Sequence, residues 1–140
     1  MKPLTSVTII ASVIIVCITA IVISGGFDSD SSTSDISKIF QPKPSIIMSK
    51  NSGSTECQNQ NSCFQPYDFK SWVGKKIVWE NQDSSAHTVT AGTPQDGPSG
   101  QFNSELIMPG GQFATTIKKP GEYDYYCMVH PWARGKISVQ

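Results

Sequence analysis

The feature that most constrains the fold is a series of short β-type runs between turn residues, from Ile39 to Gln140. Val, Ile, Thr and aromatic residues dominate the runs, and Gly, Pro, Asn and Asp separate them, as in the turn predicted at Pro94–Gly100. No run shows the 3.6-residue hydrophobic period of an amphipathic helix. The pattern therefore predicts an all-β domain, an antiparallel β-sandwich over residues 39–140. The predicted strands are Ser45–Lys50, Lys75–Asn81, His87–Ala91, Gln112–Lys118, Glu122–Met128 and Gly135–Gln140.

The amino-terminal residues 1–24 contain an uncharged apolar stretch, Val7–Ser24, preceded by Lys2. A helix of about 20 such residues spans a bilayer, and the stretch is longer than the apolar core of a usual signal peptide. We favour an uncleaved transmembrane helix over a cleaved signal peptide. The positive charge before it predicts that the following domain faces the extracytoplasmic side, in a periplasm or pseudoperiplasm. Cleavage would instead give a secreted protein.

Residues 25–38, GGFDSDSSTSDISK, are rich in Ser, Asp and Gly. Such a segment buries too little apolar surface to offset the entropy of ordering its chain. It is predicted to be a flexible linker between the membrane anchor and the β domain.

The charge composition argues against a nucleic-acid-binding function. The chain has 11 basic and 11 acidic residues, a formal net charge of zero, and no basic run. The chain as a whole therefore lacks the excess positive charge with which proteins attract nucleic acid or anionic lipid.

Cys57 and Cys63 lie in the polar segment ECQNQNSCF. Because this segment is predicted to be extracytoplasmic, where disulfides persist, we expect the two residues to be bonded to each other. That pairing leaves Cys127 without a thiol partner in the predicted domain.

Cys127 lies three residues before His130, and the other histidine of the chain, His87, lies 40 residues upstream of Cys127. One thiolate and two imidazoles are the trigonal ligand set of blue copper electron-transfer sites. A Cys at a strand end, a His in the following turn and a His from an adjacent strand can face one pocket. We therefore predict a site for one copper ion at His87, Cys127 and His130.

Two blocks, VGKKIVWENQDSSAHTVTAG and PGEYDYYCMVHPWARGKISV, resemble the cupredoxin family, most closely its plastocyanin and amicyanin members. The resemblance implies a Greek-key β-sandwich with a type 1 copper held by His87, Cys127 and His130. It also implies that the Ala86 carbonyl lies near the metal and that Thr88 hydrogen-bonds to the ligand loop.

The chain departs from the family at the axial position. The amicyanin-like loop reads C-x2-H-P-x-M, but Ala133 stands at the place of the Met, and the plastocyanin spacing leads to Gly135. Neither side chain can bind a metal, so the sequence predicts an axial position accessible to water or a small ligand. Met108 is expected to pack in the core rather than to fill this position.

The family also places an apolar surface for electron transfer at the second His, which here would comprise Pro131, Trp132 and Ala133 around His130. Two further tryptophans, Trp72 and Trp79, are predicted to pack inside the domain.

Three copper functions are compatible with the sequence, and zinc bound by the same three ligands is a fourth possibility that the ligand set favours less than copper. The first is a one-electron carrier, whose partner would be a membrane redox complex or a small electron-transfer protein. The second is a redox enzyme that acts at the accessible copper on a small ligand such as nitric oxide or nitrite, for example by oxidising nitric oxide to nitrite. The third is copper storage or buffering.

Overall fold

The computed structural model describes residues Gln41–Gln140, which form one unit by the density of their internal contacts. The predicted membrane segment, residues 1–24, and the predicted linker, residues 25–38, lie outside the described residues. Within Gln41–Gln140 there is no helix with the length and apolar character needed to cross a bilayer.

Within the described residues nine strands form two packed sheets, which confirms the predicted all-β sandwich. One sheet has the strand order β2-β1-β4-β7 and the other the order β3-β9-β8-β5-β6. The strands are β1 (Ile46–Met48), β2 (Phe64–Gln65), β3 (Asp68–Ser71), β4 (Lys76–Asn81), β5 (Thr90–Thr93), β6 (Gly97–Asn103), β7 (Gln112–Thr116), β8 (Gly121–Tyr126) and β9 (Arg134–Val139), with a 3-10 turn at Thr55–Gln60.

Three details of the predicted topology were wrong. The sandwich is not purely antiparallel, because β1 pairs parallel with β4 and β3 pairs parallel with β9. Strand β6 occupies part of the turn predicted at Pro94–Gly100, since it pairs with β5 through a tight connection. His87 is not within a strand: it forms an isolated antiparallel bridge with Ile107, and β5 begins only at Thr90.

An aromatic cluster between the sheets forms the centre of the core. The fully buried Trp79 on β4 lies 5.6 Å from the ring of Tyr125 on β8 and 5.9 Å from that of Phe102 on β6. Full burial of such side chains stabilises the fold by about 1.5–3 kcal/mol each. The predicted packing role of Trp79 is thus confirmed. The same prediction was wrong for Trp72, which lies in the turn between β3 and β4 with 62% of its surface exposed.

Gly135 on β9 allows the Tyr125 ring to lie against the strand. A Cβ atom at this position would come 2.3 Å from the ring Cζ and hydroxyl of Tyr125. Real Cβ atoms do not approach other atoms so closely. This close packing of β8 on β9 also explains why the position of the plastocyanin-type axial residue holds a glycine here.

The strand directions give the sandwich two distinct ends. Strands β4 and β8 run toward the end where His87 and Cys127 follow them, which we name the ligand end. Strands β3, β7 and β9 run toward the opposite end, which we name the distal end. The turn Trp72–Lys75 and the connection from Ile117 to Pro120 lie at the distal end.

The structure contains the predicted disulfide. Cys57 and Cys63 are bonded to each other across the 3-10 turn, with a Cα–Cα distance of 4.9 Å. Both residues are buried and belong to the core cluster. Cys127 is the free cysteine among the described residues.

Replacing both bonded cysteines, Cys57→Ser and Cys63→Ser, should lower the free energy of unfolding by about 2 kcal/mol, because a short cross-link restricts the unfolded chain. Denaturant unfolding of the metal-free protein measures this change. The control is Ser62→Ala in the same loop, which removes only a hydroxyl hydrogen bond to the Cys57 carbonyl. An unfolding midpoint equal to that of the wild type would show that the disulfide does not stabilise the domain.

Candidate metal centre

The ligand end brings together three side chains from two separate segments of the chain. His87 comes from the segment that joins β4 to β5, and Cys127 and His130 come from the loop between β8 and β9. Their ligand atoms all lie within 4.8 Å of one another. His87 and Cys127 have no exposed surface, whereas His130 is partly exposed.

The separations of these atoms fit one metal ion. The Nδ1 atoms of His87 and His130 are 3.2 Å apart, and Nδ1 of His130 is 3.7 Å from Sγ of Cys127. An ion bonded at about 2.0–2.1 Å to nitrogen and about 2.3 Å to sulfur would have ligands at such mutual distances. A trigonal set of two imidazoles and one thiolate is the arrangement typical of blue copper sites.

Thr88 fixes the sulfur and the start of the ligand loop. The Thr88 amide donates to Cys127 Sγ at 3.2 Å. The Thr88 hydroxyl in turn accepts a hydrogen bond from the Met128 amide at 2.8 Å. Thr88 therefore connects the segment of the first histidine to the ligand loop, which is the contact expected of it from the family pattern.

A buried carboxylate holds the other side of the first histidine. Nε2 of His87 lies 2.8 Å from Oδ2 of Asp83 and 3.1 Å from the Ser52 hydroxyl. Because Nδ1 faces the other ligands, the ring proton belongs on Nε2, which donates to the carboxylate. Such an acceptor fixes the tautomer and orientation of a metal-binding histidine and increases its basicity.

Asp83 is itself held by several donors. Its carboxylate accepts hydrogen bonds from the amides of Asn51 at 2.9 Å, Gly53 at 2.9 Å and Ser84 at 2.8 Å. Burial alone would raise the pKa of Asp83, but the hydrogen bonds from His87 and these amides lower it to about 2. The carboxylate is therefore charged at neutral pH.

The environment of Cys127 favours its thiolate. Burial raises the pKa of the thiol, but the contact with the His87 ring, the hydrogen bond from the Thr88 amide and the contact with His130 lower this pKa to about 6. Burial likewise lowers the pKa of His87, while contacts with Cys127 and Asp83 raise it, so that its net shift is upward. The thiolate, which is the form of cysteine that binds a metal ion, is thus favoured at neutral pH.

The ligand loop returns tightly on itself. The Cys127 amide donates to the Ala133 carbonyl at 2.9 Å, and the Ala133 amide donates to the His130 carbonyl at 2.8 Å. Ala133 is consequently fully buried, so the prediction that it belongs to the exposed patch around His130 was wrong. Pro131 is exposed, as expected.

Trp132 is partly buried and joins the ligand loop to the loop after β1. Its indole Nε1 donates to the Ser52 carbonyl at 3.2 Å, and its ring centroid is 5.3 Å from that of His130. Ala86, directly before His87, is also partly buried. Met108, which was predicted to lie in the core, has 62% of its surface exposed, because it follows the bridged Ile107 in an outer turn.

Two residues around His87 were not recognised from the sequence, Asp83 and Ser52. A signal for Asp83 existed, since it precedes His87 by four residues in a segment rich in turn-forming side chains. Ser52 is 35 residues from His87, and no local pattern indicates their contact.

In the metal-free protein, the ultraviolet absorbance of the Cys127 thiolate should titrate with a midpoint near pH 6, below the ordinary value of 9.0. Above this midpoint, protonation of Cys127 should have little effect on the affinity for a divalent ion. As the pH falls through the midpoint, the affinity should decrease, because protons then compete with the ion for the sulfur. Cys127→Ser is the control, since it lacks the absorbance. A midpoint at the ordinary thiol value would contradict the prediction.

Comparison with known proteins agrees with this geometry. The model of the copper binding proteins of the plastocyanin/azurin family matches residues 51–140. Amicyanin-alpha of Methylorubrum extorquens is 28% identical to this chain, over 63% of this chain and 73% of its own length. Amicyanin of Paracoccus versutus is 31% identical, over 49% of this chain and 51% of its own length. The chain thus spans about half the length of the second relative.

Among solved structures, a purple cupredoxin from Nitrosopumilus maritimus covers 70% of this chain and all of its own, with a TM-score of 0.63 and 26% identity. The family match includes the three ligand residues and every strand from β2 to β9. The chain belongs to the plastocyanin/azurin family of copper-binding proteins.

Proposed function

We propose that the protein is an extracytoplasmic, membrane-tethered carrier of single electrons that uses one copper ion. The observation that supports this most is the buried triangle of His87, Cys127 and His130, whose ligand atoms already lie at the separations a single ion needs. The ion supplies a one-electron couple between Cu(II) and Cu(I). The protein contributes a ligand set that needs little rearrangement.

The side chains around the site hold this geometry and exclude bulk water from the thiolate. Thr88 fixes the sulfur and Asp83 fixes the His87 ring, while His130 is partly exposed. His130 is thus the ligand through which an electron would pass between the centre and a partner.

Apolar side chains near His130 provide a surface for such a partner. Met128 and Val129, within the ligand loop, are 49% and 50% exposed, and Leu106 and Met108, on either side of the residue that pairs with His87, are 61% and 62% exposed. Exposed apolar patches commonly mark protein-binding sites. We propose a membrane redox complex or a small electron-transfer protein as the partner.

The membrane tether is proposed from the sequence of the first 24 residues. Their 18-residue uncharged stretch is long enough for a spanning helix, and residues 25–38 have the composition of a flexible spacer. A domain held in this way would meet its partners near the plane of one membrane.

A second candidate function follows from Ala133, which replaces the thioether of the amicyanin-like loop. A copper with an exchangeable position can bind a small ligand. Oxidation of nitric oxide with one water would give nitrite, two protons and one electron. The electron would leave through the copper site to the redox partner that binds the apolar surface near His130. Because Ala133 is fully buried, a ligand would have to enter past His130 and Trp132.

The visible spectrum of the copper-loaded full chain, before and after addition of azide or nitric oxide, tests both functions. We expect an intense thiolate-to-copper band before any ligand is added. A band that shifts with azide, or that nitric oxide bleaches by reducing the copper, supports small-molecule chemistry, and a band that neither ligand changes supports electron transfer alone. Absence of the band before any addition would contradict the copper assignment.

Ala133→Met should make the spectrum insensitive to azide, because a thioether would occupy the axial position. Ala133→Leu is the matched control, since it adds similar volume without a ligand atom. If the Leu variant changed the azide response and the copper band as the Met variant does, steric filling rather than ligation would explain the effect.

Asp83→Asn should weaken Cu(II) binding by about 10- to 100-fold and raise the reduction potential, because the buried negative charge that favours Cu(II) is removed. Voltammetry and competition with a chelator measure the two quantities. Ser52→Ala is the control, since it removes a neighbouring hydrogen bond without changing charge. An unaltered potential in Asp83→Asn would exclude this electrostatic role.

A further inference from the structure

The distal end of the sandwich presents an exposed apolar pair, Trp72 and Val73. Their surfaces are 62% and 44% exposed. The exposure is imposed by the fold, because the Val73 amide donates to the Gln140 carbonyl at 3.0 Å and the Gly74 amide donates to the Ile117 carbonyl at 2.9 Å. The turn cannot fold its side chains into the core without losing these contacts.

Exposed lysines lie in the segments at the same end of the domain as this pair. They come from the end of β3, from the turn before β4 with the first residue of β4, and from the connection that follows β7, so that three separate segments contribute cations to one end of the domain. The nearest acidic side chain of β8, Glu122, is already paired with Lys136. The lysines are Lys70, Lys75, Lys76, Lys118 and Lys119.

We propose that the distal end binds the surface of an anionic lipid bilayer. Trp72 and Val73 would enter the interfacial region, and the surrounding lysines would lie against the negative headgroups. Tryptophan is favoured at membrane interfaces because its ring is apolar and its N–H is polar. Lysines near an anionic surface add an attraction that salt weakens.

The choice of a bilayer rather than a protein as the occupant rests on the proposed membrane tether. A tether of flexible composition keeps the domain close to a membrane but does not orient it. Contact through the distal end would direct the opposite, ligand end away from the bilayer. His130 and the exposed side chains around it would then face soluble or protruding partners.

The test uses the full chain reconstituted into vesicles of phosphatidylcholine alone or mixed with phosphatidylglycerol. Lipids brominated near the headgroup quench tryptophan that enters the interface. We expect quenching only in vesicles that contain phosphatidylglycerol, and we expect high salt to reverse it. Trp72→Phe should abolish the signal, because Trp79 is buried and Trp132 lies at the ligand end.

Two charge reversals provide matched variants. Lys75→Glu, next to the apolar pair, should reduce the quenching severalfold, whereas Lys50→Glu, an exposed lysine at the ligand end, should leave it unchanged. Equal quenching in both variants, or none in anionic vesicles, would overturn the proposal. Release of the full chain from phosphatidylcholine vesicles by an alkaline wash would instead contradict the tether, whatever the quenching shows.

Discussion

The hydrogen-bonded carboxylate of Asp83 is the contact on which the ligand end depends. It accepts hydrogen bonds from the amides of Asn51 and Gly53 and from the His87 ring, and thereby joins the loop after β1 to the segment after β4. Trp132 connects the ligand loop to the loop after β1, because its indole N–H donates to the Ser52 carbonyl. A buried charge is tolerated only with such partners, so the loops must adopt one arrangement to satisfy it.

This arrangement gives the site its chemical character before any metal binds. The thiolate of Cys127 is stabilised by donors from two segments, and the rings of both histidines have little freedom. A site held in this way favours rapid exchange of one electron, because the ligands need not move when the charge of the ion changes.

The sequence predicted the features that depend on local patterns, but not the contacts between residues that are far apart along the chain. The spacing of Cys127 and His130, the disulfide and most strands follow from short patterns. The contact of Ser52 with His87 joins residues 35 apart, and the parallel pairing of β1 with β4 also depends on the assembled sheet. Trp72 was assigned to the core by its residue type, but a turn fixed by main-chain hydrogen bonds exposes it.

The main-chain hydrogen bonds of Ala133 have a consequence for substitution at this position. Its amide and carbonyl are both used to close the ligand loop, and neither contact involves the methyl group. These hydrogen bonds therefore fix the backbone conformation at this position without a contribution from the side chain. A substitution at this position can change the side chain while the main-chain hydrogen bonds keep the loop on the same path.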